Sequence, residues 1–185
     1  MVLDLVAKGV TERALADNVK KSTNAESAHV EISSFPFLWQ VGVDGRLARI
    51  DLSADQVPIG PVRFERISLD ARQVHFDRHQ LLSERTVDIT AVGQATMTVV
   101  AQLSSLQGTI AGDLGVDVTS PAPGQVAISA LGRTVTTIDL TRIPLVPKCP
   151  LTVTHSGSTY TFSCTVAPVP PSVLAALSKA SAVRS

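Results

Sequence analysis

The side chains best suited to chemistry are few and scattered. The densest group is His75-Phe-Asp77-Arg-His79, in which His75, Asp77 and His79 share one face if the segment is extended. Strand rise would then hold the two histidines about 13 Å apart, too far for one ion. A helix would bring them closer, but Val74 and Phe76 suit a strand or loop better, so the group reads as solvated surface. His29 and His155 stand alone. No G-x-S-x-G elbow, G-x-G-x-x-G turn or P-loop occurs. Cys149 and Cys164 are too far apart for a C-x-x-C redox pair. The residues therefore point to a non-catalytic protein with no cofactor and no metal.

The two cysteines carry structural information instead. KCPLTVTHSGSTYTFSCTV reads as two short strands around a turn at Ser156-Gly157. That turn pairs His155 with Ser158, Val153 with Tyr160, Leu151 with Phe162 and Cys149 with Cys164. Directly opposed residues come within reach of a disulfide. A bridge implies an oxidising compartment and hence an exported protein.

The elements that would position any site come next. Leu3, Val6, Val10, Ala14, Leu15 and Val19 recur at helical spacing, which predicts a core-facing helix over 3–21. His29 to Ser33 makes a short strand. The Phe35, Phe37, Leu38 and Trp39 cluster holds three of the seven aromatics, with Pro36 inside it; Pro36 favours a loop or sheet edge over a helix. After Asp44-Gly45, Arg46 to Gln56 alternates, with Ala48, Ile50, Leu52 and Ala54 on the dry face. PIGP reads as a turn. From Val62 to Asp77 the apolar set changes phase twice, through Phe64, then Ile67 and Leu69, then Val74 and Phe76, a pattern that bulges produce. A further strand runs from Thr86 to Val100, with Gly93 at a tolerated bend. A short helix at about 101–108 carries Leu103 and Leu106. More strands follow, and Ser172 caps a final helix at about 172–181. The fold class is α+β, one domain over 1–185, mainly β between 29 and 166.

Sixteen basic and sixteen acidic residues cancel, so no global field points to nucleic acid. The six arginines between Arg46 and Arg78 are interspersed with carboxylates, the pattern of a solvated mixed-charge face. No apolar run approaches the roughly 18 residues needed to span a bilayer. No basic stretch followed by an apolar run opens the sequence, so a native signal or anchor segment is expected to have been replaced by the start codon.

The segments HVEISSFPFLWQ and GRLARIDLSADQV resemble those of the LmeA-like phospholipid-binding proteins of actinobacterial cell envelopes. The resemblance is carried by Val30, Ile32, Phe35, Pro36, Phe37, Leu38, Gly45, Arg46 and Leu47. It is sharp between Val30 and about Asp77 and weaker over the rest of Leu3 to about Val166. It implies a tubular lipid-binding fold, in which a long curved antiparallel sheet wraps the N-terminal helix and encloses an apolar cavity. On that reading Phe35, Phe37, Leu38 and Trp39 line the mouth or touch a bilayer transiently. Ile50, Leu52, Phe64, Ile67, Leu69, Met97, Leu103 and Leu106 would hold acyl chains, and Arg46 and Arg49 would meet the head group. The implied role is phospholipid binding or transfer in the periplasm or envelope, in support of lipoglycan or envelope assembly. The alternative is an envelope interaction module with a packed core.

Overall fold

The computed structural model describes residues 2–34, 36–60, 62–77, 89–107, 116–142 and 148–169, with backbone only for Val2, Leu3, Leu38, Gln107 and Val116. The N-terminal helix α1 (Val2–Thr23) is followed by strand β1 (Ser27–Ile32), a single helical turn α2 (Phe37–Trp39) and a π-helical turn (Gln40–Asp44). Then come the long strands β2 (Arg46–Ile59), β3 (Val62–Phe76) and β4 (Ile89–Gln102), and the short helix α3 (Leu103–Gln107). Strands β5 (Val116–Thr119), β6 (Gln125–Ala130) and β7 (Arg133–Asp139) form a separate three-stranded sheet. The hairpin β8 (Thr152–Ser156) and β9 (Thr159–Val166) returns to the main sheet, whose order is β1-β2-β3-β4-β9-β8. It is antiparallel throughout, with β1 and β8 at its edges, and it does not close into a barrel. The fold is thus α+β with a large antiparallel sheet and an N-terminal helix. The expected C-terminal helix lies outside the described residues.

Three expectations are corrected. First, the inward face of α1 is only partly the expected one: Leu15 and Val19 pack inward as expected, joined by Asp4, Ala7 and Ala16, whereas Val6 and Val10 are 57 % and 62 % exposed. Two carboxylates set this orientation. Glu12 accepts the Ile32 N–H at 2.7 Å and Asp4 accepts the Phe37 N–H at 3.0 Å, so donors that would lack a partner are satisfied by the helix. Second, the aromatic cluster begins a helical turn. Pro36 is its N-cap in extended geometry, a position where a missing N–H costs nothing, and Gly45 ends the π turn at φ +61. Third, β2 runs through Pro58 to Ile59, so the turn comes later than PIGP suggests and centres on Gly60 at φ +59.

The phase slips have a cause other than bulges. Between β2 and β3 the register is unbroken, with Leu47 facing Val74, Leu52 facing Leu69 and Val57 facing Phe64. The buried set nevertheless shifts parity in both strands at the same two places. At one of these Gln56 has φ +54, and at the other Gln73 has φ +53. A single left-handed residue turns the strand about its own axis without adding a residue. The one register shift in β3 falls against β4, at His75/Phe76. Opposite Gln73 stands Gly93, where an added Cβ would lie 3.0 Å from the Gln73 Cβ.

The disulfide between Cys149 and Cys164 is present, with Cα atoms 6.1 Å apart. The hairpin register differs by two residues from the sequence expectation: His155 faces Tyr160 and Val153 faces Phe162. Gly157, at φ +58, takes the first position of a two-residue loop completed by Ser158, the place where a type II′ turn needs glycine. Cys149 lies before the start of β8 and reaches Cys164 diagonally.

Two stability predictions follow from these backbone positions. Leu131 is 77 % exposed and sits at φ +52 before Gly132 in the two-residue β6–β7 loop, where Asn is better tolerated. Leu131→Asn should raise the thermal midpoint by a few degrees, corresponding to about 1 kcal/mol; a lower midpoint would contradict backbone strain there. Gly93→Ala should cost about 1–3 kcal/mol in denaturant titration through crowding against Gln73. Adding Gln73→Gly should recover most of that loss.

Candidate functional site

Three surfaces and one apolar gap are candidates for function. The gap lies where the C-terminal half of α1 crosses the sheet. Val19 and Thr23 of the helix face Leu52, Ser53, Ala54, Ile67, Leu69 and Met97 around it. The Thr23 hydroxyl donates to the Val19 carbonyl at 2.7 Å, so it makes no demand on an occupant. The volume is about 10 Å³, room for about one water. Four residues assigned to acyl-chain contact, Leu52, Ile67, Leu69 and Met97, therefore converge on one place. Phe64 and Leu106 are fully buried in the same apolar cluster but do not line the gap, and Leu103 is half-buried on α3. Ile50 is half-buried between Ile32 and Ala71 of the neighbouring strands.

The aromatic cluster is divided by the fold. Phe37 is buried in the core, held by the Asp4 contact, whereas Trp39 is 60 % exposed. Phe35 and the Leu38 side chain lie outside the described residues. Near Trp39 in the chain is exposed Val43, and across the Asp4–Phe37 link the N-terminal half of α1 exposes Leu5, Val6 and Val10. Further along the helix the outward positions turn polar, with Arg13, Asp17, Lys20 and Lys21 exposed. The apolar exposure of α1 is thus confined to the end linked to α2. Sequence periodicity concealed this, because Val6 and Val10 fit the dry face of the expected helix.

The outer face of β2 and β3 is charged but internally balanced. Arg49 faces Arg72 and Asp51 faces Asp70 across the strands, pairs that would repel if isolated. Neighbouring rungs cancel them. Arg49 Nη2 lies 2.8 Å from both Asp51 and Asp70, and Arg72 Nε lies 3.2 Å from Asp70. Arg66 donates to Asp55 at 2.7 Å, and Arg63 to Glu26 at the same distance. The Arg66 hydrogen bond, helped by the Ser27 hydroxyl, holds the Asp55 carboxyl below the usual range against the opposing effect of burial. Arg46 differs, its Nε standing 3.7 Å from Asp44. It borders an open depression of about 420 Å³ with Gln40, Leu47, Ala48, Gln73 and His75. His79 lies outside the described residues, and among the described residues no cluster of His, Cys, Asp or Glu could hold a metal ion.

The chain matches the model of the LmeA-like phospholipid-binding family over residues 2–181 of 185. It belongs to that family. For this LmeA-like protein, comparison with curated proteins and with solved structures found no match. Membership supports lipid as the ligand class, and no helix among the described residues is long and apolar enough to cross a membrane. The disulfide fits an oxidising, extracytoplasmic setting.

The Asp55–Arg66 pair supplies a pH test. A carboxyl with its folded pKa lowered contributes stability above its unfolded pKa, and that contribution is lost as pH falls through the folded value. Arg66→Ala should flatten the loss of stability on acidification through the carboxylate range. The effect should be small and salt-sensitive, since the Arg66 side chain is 61 % exposed. Equal acid profiles at low salt for the two proteins would contradict it.

Proposed function

We propose that the protein is a non-catalytic phospholipid carrier of the cell envelope, which takes up acyl chains beneath α1 and touches the bilayer with the apolar end formed by α1 and α2. The observation that carries this reading is the exposure of Trp39 with Leu5, Val6 and Val10 at one end of a chain in a phospholipid-binding family. An exposed Trp beside aliphatic side chains suits the interface between head groups and acyl chains.

The manner of loading follows from how α1 is held. Its inward face offers a narrow apolar set, Ala7, Leu15, Ala16 and Val19, with two carboxylate contacts, so lifting it from β1 and β2 would expose few large side chains and exchange those contacts for water. Lifting would widen the gap among Leu52, Ile67, Leu69 and Met97 into an acyl-chain groove, where burial contributes roughly 0.8 kcal/mol per CH₂. Phe64, Leu103 and Leu106 would extend the groove, and Ile50 would flank it. A role in lipoglycan or envelope assembly, in the periplasm or at the envelope, belongs to the same proposal. The small resting gap favours one second reading, an envelope interaction module that keeps its core packed.

Trp39 is the only tryptophan, so its emission reports its own surroundings. Titration with phosphatidylglycerol vesicles should shift the emission to the blue, and Trp39→Ala should weaken vesicle binding about tenfold. Unchanged emission at saturating lipid would rule out a bilayer-touching Trp39.

A further inference from the structure

The depression beside Arg46 is different in chemistry from the gap under α1. Its floor is a block of four residues on one face of the β2–β3 hairpin. Arg46 faces His75 directly, and two residues along β2 Ala48 lies across from Gln73, at the position where the strand turns. The left-handed backbone at Gln73 carries its side chain over Gly93, which has no Cβ to oppose it. The small Ala48 side chain leaves the floor open. Gln40, the first residue of the π turn, forms a further part of the lining, one residue after Trp39.

Arg46 stands out among the arginines of these strands. Of the five that are described, Arg49, Arg63, Arg66 and Arg72 each donate a charge-assisted hydrogen bond to a carboxylate. Arg46 is 3.7 Å from Asp44, beyond hydrogen-bond distance, and its side chain is 64 % exposed. A guanidinium held only by a 3.7 Å ion pair to Asp44, set among hydrogen-bonding amides and an imidazole, can still donate to an oxyanion with several acceptor oxygens.

We propose that this depression binds a phosphate group, with Arg46 as its charged donor and Gln40, Gln73 and His75 around it. The phosphate is that of a phospholipid head group or a free phosphate. The first source rests on the lipid-carrier reading and places the head group next to the bilayer-touching Trp39. The anion site itself does not depend on that reading.

The test compares lysophosphatidylglycerol with a monoacylglycerol of the same acyl chain, and both with inorganic phosphate, by calorimetric titration of the full chain. Arg46→Gln should weaken lysophosphatidylglycerol about tenfold and leave the monoacylglycerol unchanged. Asp44→Asn, which removes the competing carboxylate, should tighten lysophosphatidylglycerol about threefold. Ala48→Leu fills the floor at an exposed position without altering charge and should weaken it as Arg46→Gln does. If inorganic phosphate binds in an Arg46-dependent way while neither lipid binds, the anion site stands and the carrier reading fails. If the wild type binds both lipids and Arg46→Gln changes neither or both equally, the phosphate site is overturned and the carrier reading survives. Failure of the wild type to bind either lysophosphatidylglycerol or phosphate also overturns the site.

Discussion

Two carboxylates on one helix, each meeting a backbone N–H outside that helix, set the arrangement on which the rest depends. Glu12 takes the N–H of Ile32 at the open side of β1, and Asp4 takes that of Phe37 at the start of α2. The first contact covers an edge strand that would otherwise present unpaired donors. The second ties the N-terminal end of α1 to the aromatic turn. Together they fix the rotation of α1, and that rotation leaves Leu5, Val6 and Val10 outside. Helix, edge strand and aromatic turn therefore share one set of contacts, and any movement of α1 must exchange these hydrogen bonds with water.

The sheet answers the helix with a change of parity in place of a change of register. At Gln56 and Gln73 a left-handed residue turns β2 and β3 together while their pairing continues. The apolar set thus stays on the core side along strands of 14 and 15 residues that a flat alternation could not bury throughout. The same device puts Gln73 over Gly93 and opens the polar depression beside Arg46, so a device that serves the core also creates a site on the surface.

Much of this was legible in the residues. Alternation located β2 and the middle of β3, the turn chemistry located the cysteine hairpin, and the phase slips marked where the buried set changes parity. The disulfide was expected from a register two residues away from the one that forms, because Gly157 occupies the first loop position and not the second. Periodicity placed Leu15 and Val19 of α1 correctly but not Val6 and Val10, since polar anchors outweighed a weak apolar stripe. The Pro36 signal suggested a loop because proline disfavours a helix interior, yet it is compatible with a helix start. Of the apolar residues assigned to lipid contact, Leu52, Ile67, Leu69 and Met97 meet around one gap. Periodicity cannot reveal such a gap, because packed and loosely packed cores obey the same alternation. Arg46 was singled out in the sequence as a head-group contact, but nothing there linked it to Gln40, Gln73 and His75, which topology gathers around it.

The central claim is that this chain holds a phospholipid, and native mass spectrometry tests it most directly. The protein would be purified from a host that makes envelope phospholipids, and its native and denatured masses compared. The expected result is a native mass exceeding the denatured one by a single phospholipid, with the denatured chain lighter by two hydrogens for the disulfide. An apo mass that stays unchanged after incubation with added phospholipid would contradict the account and leave the packed interaction module in its place.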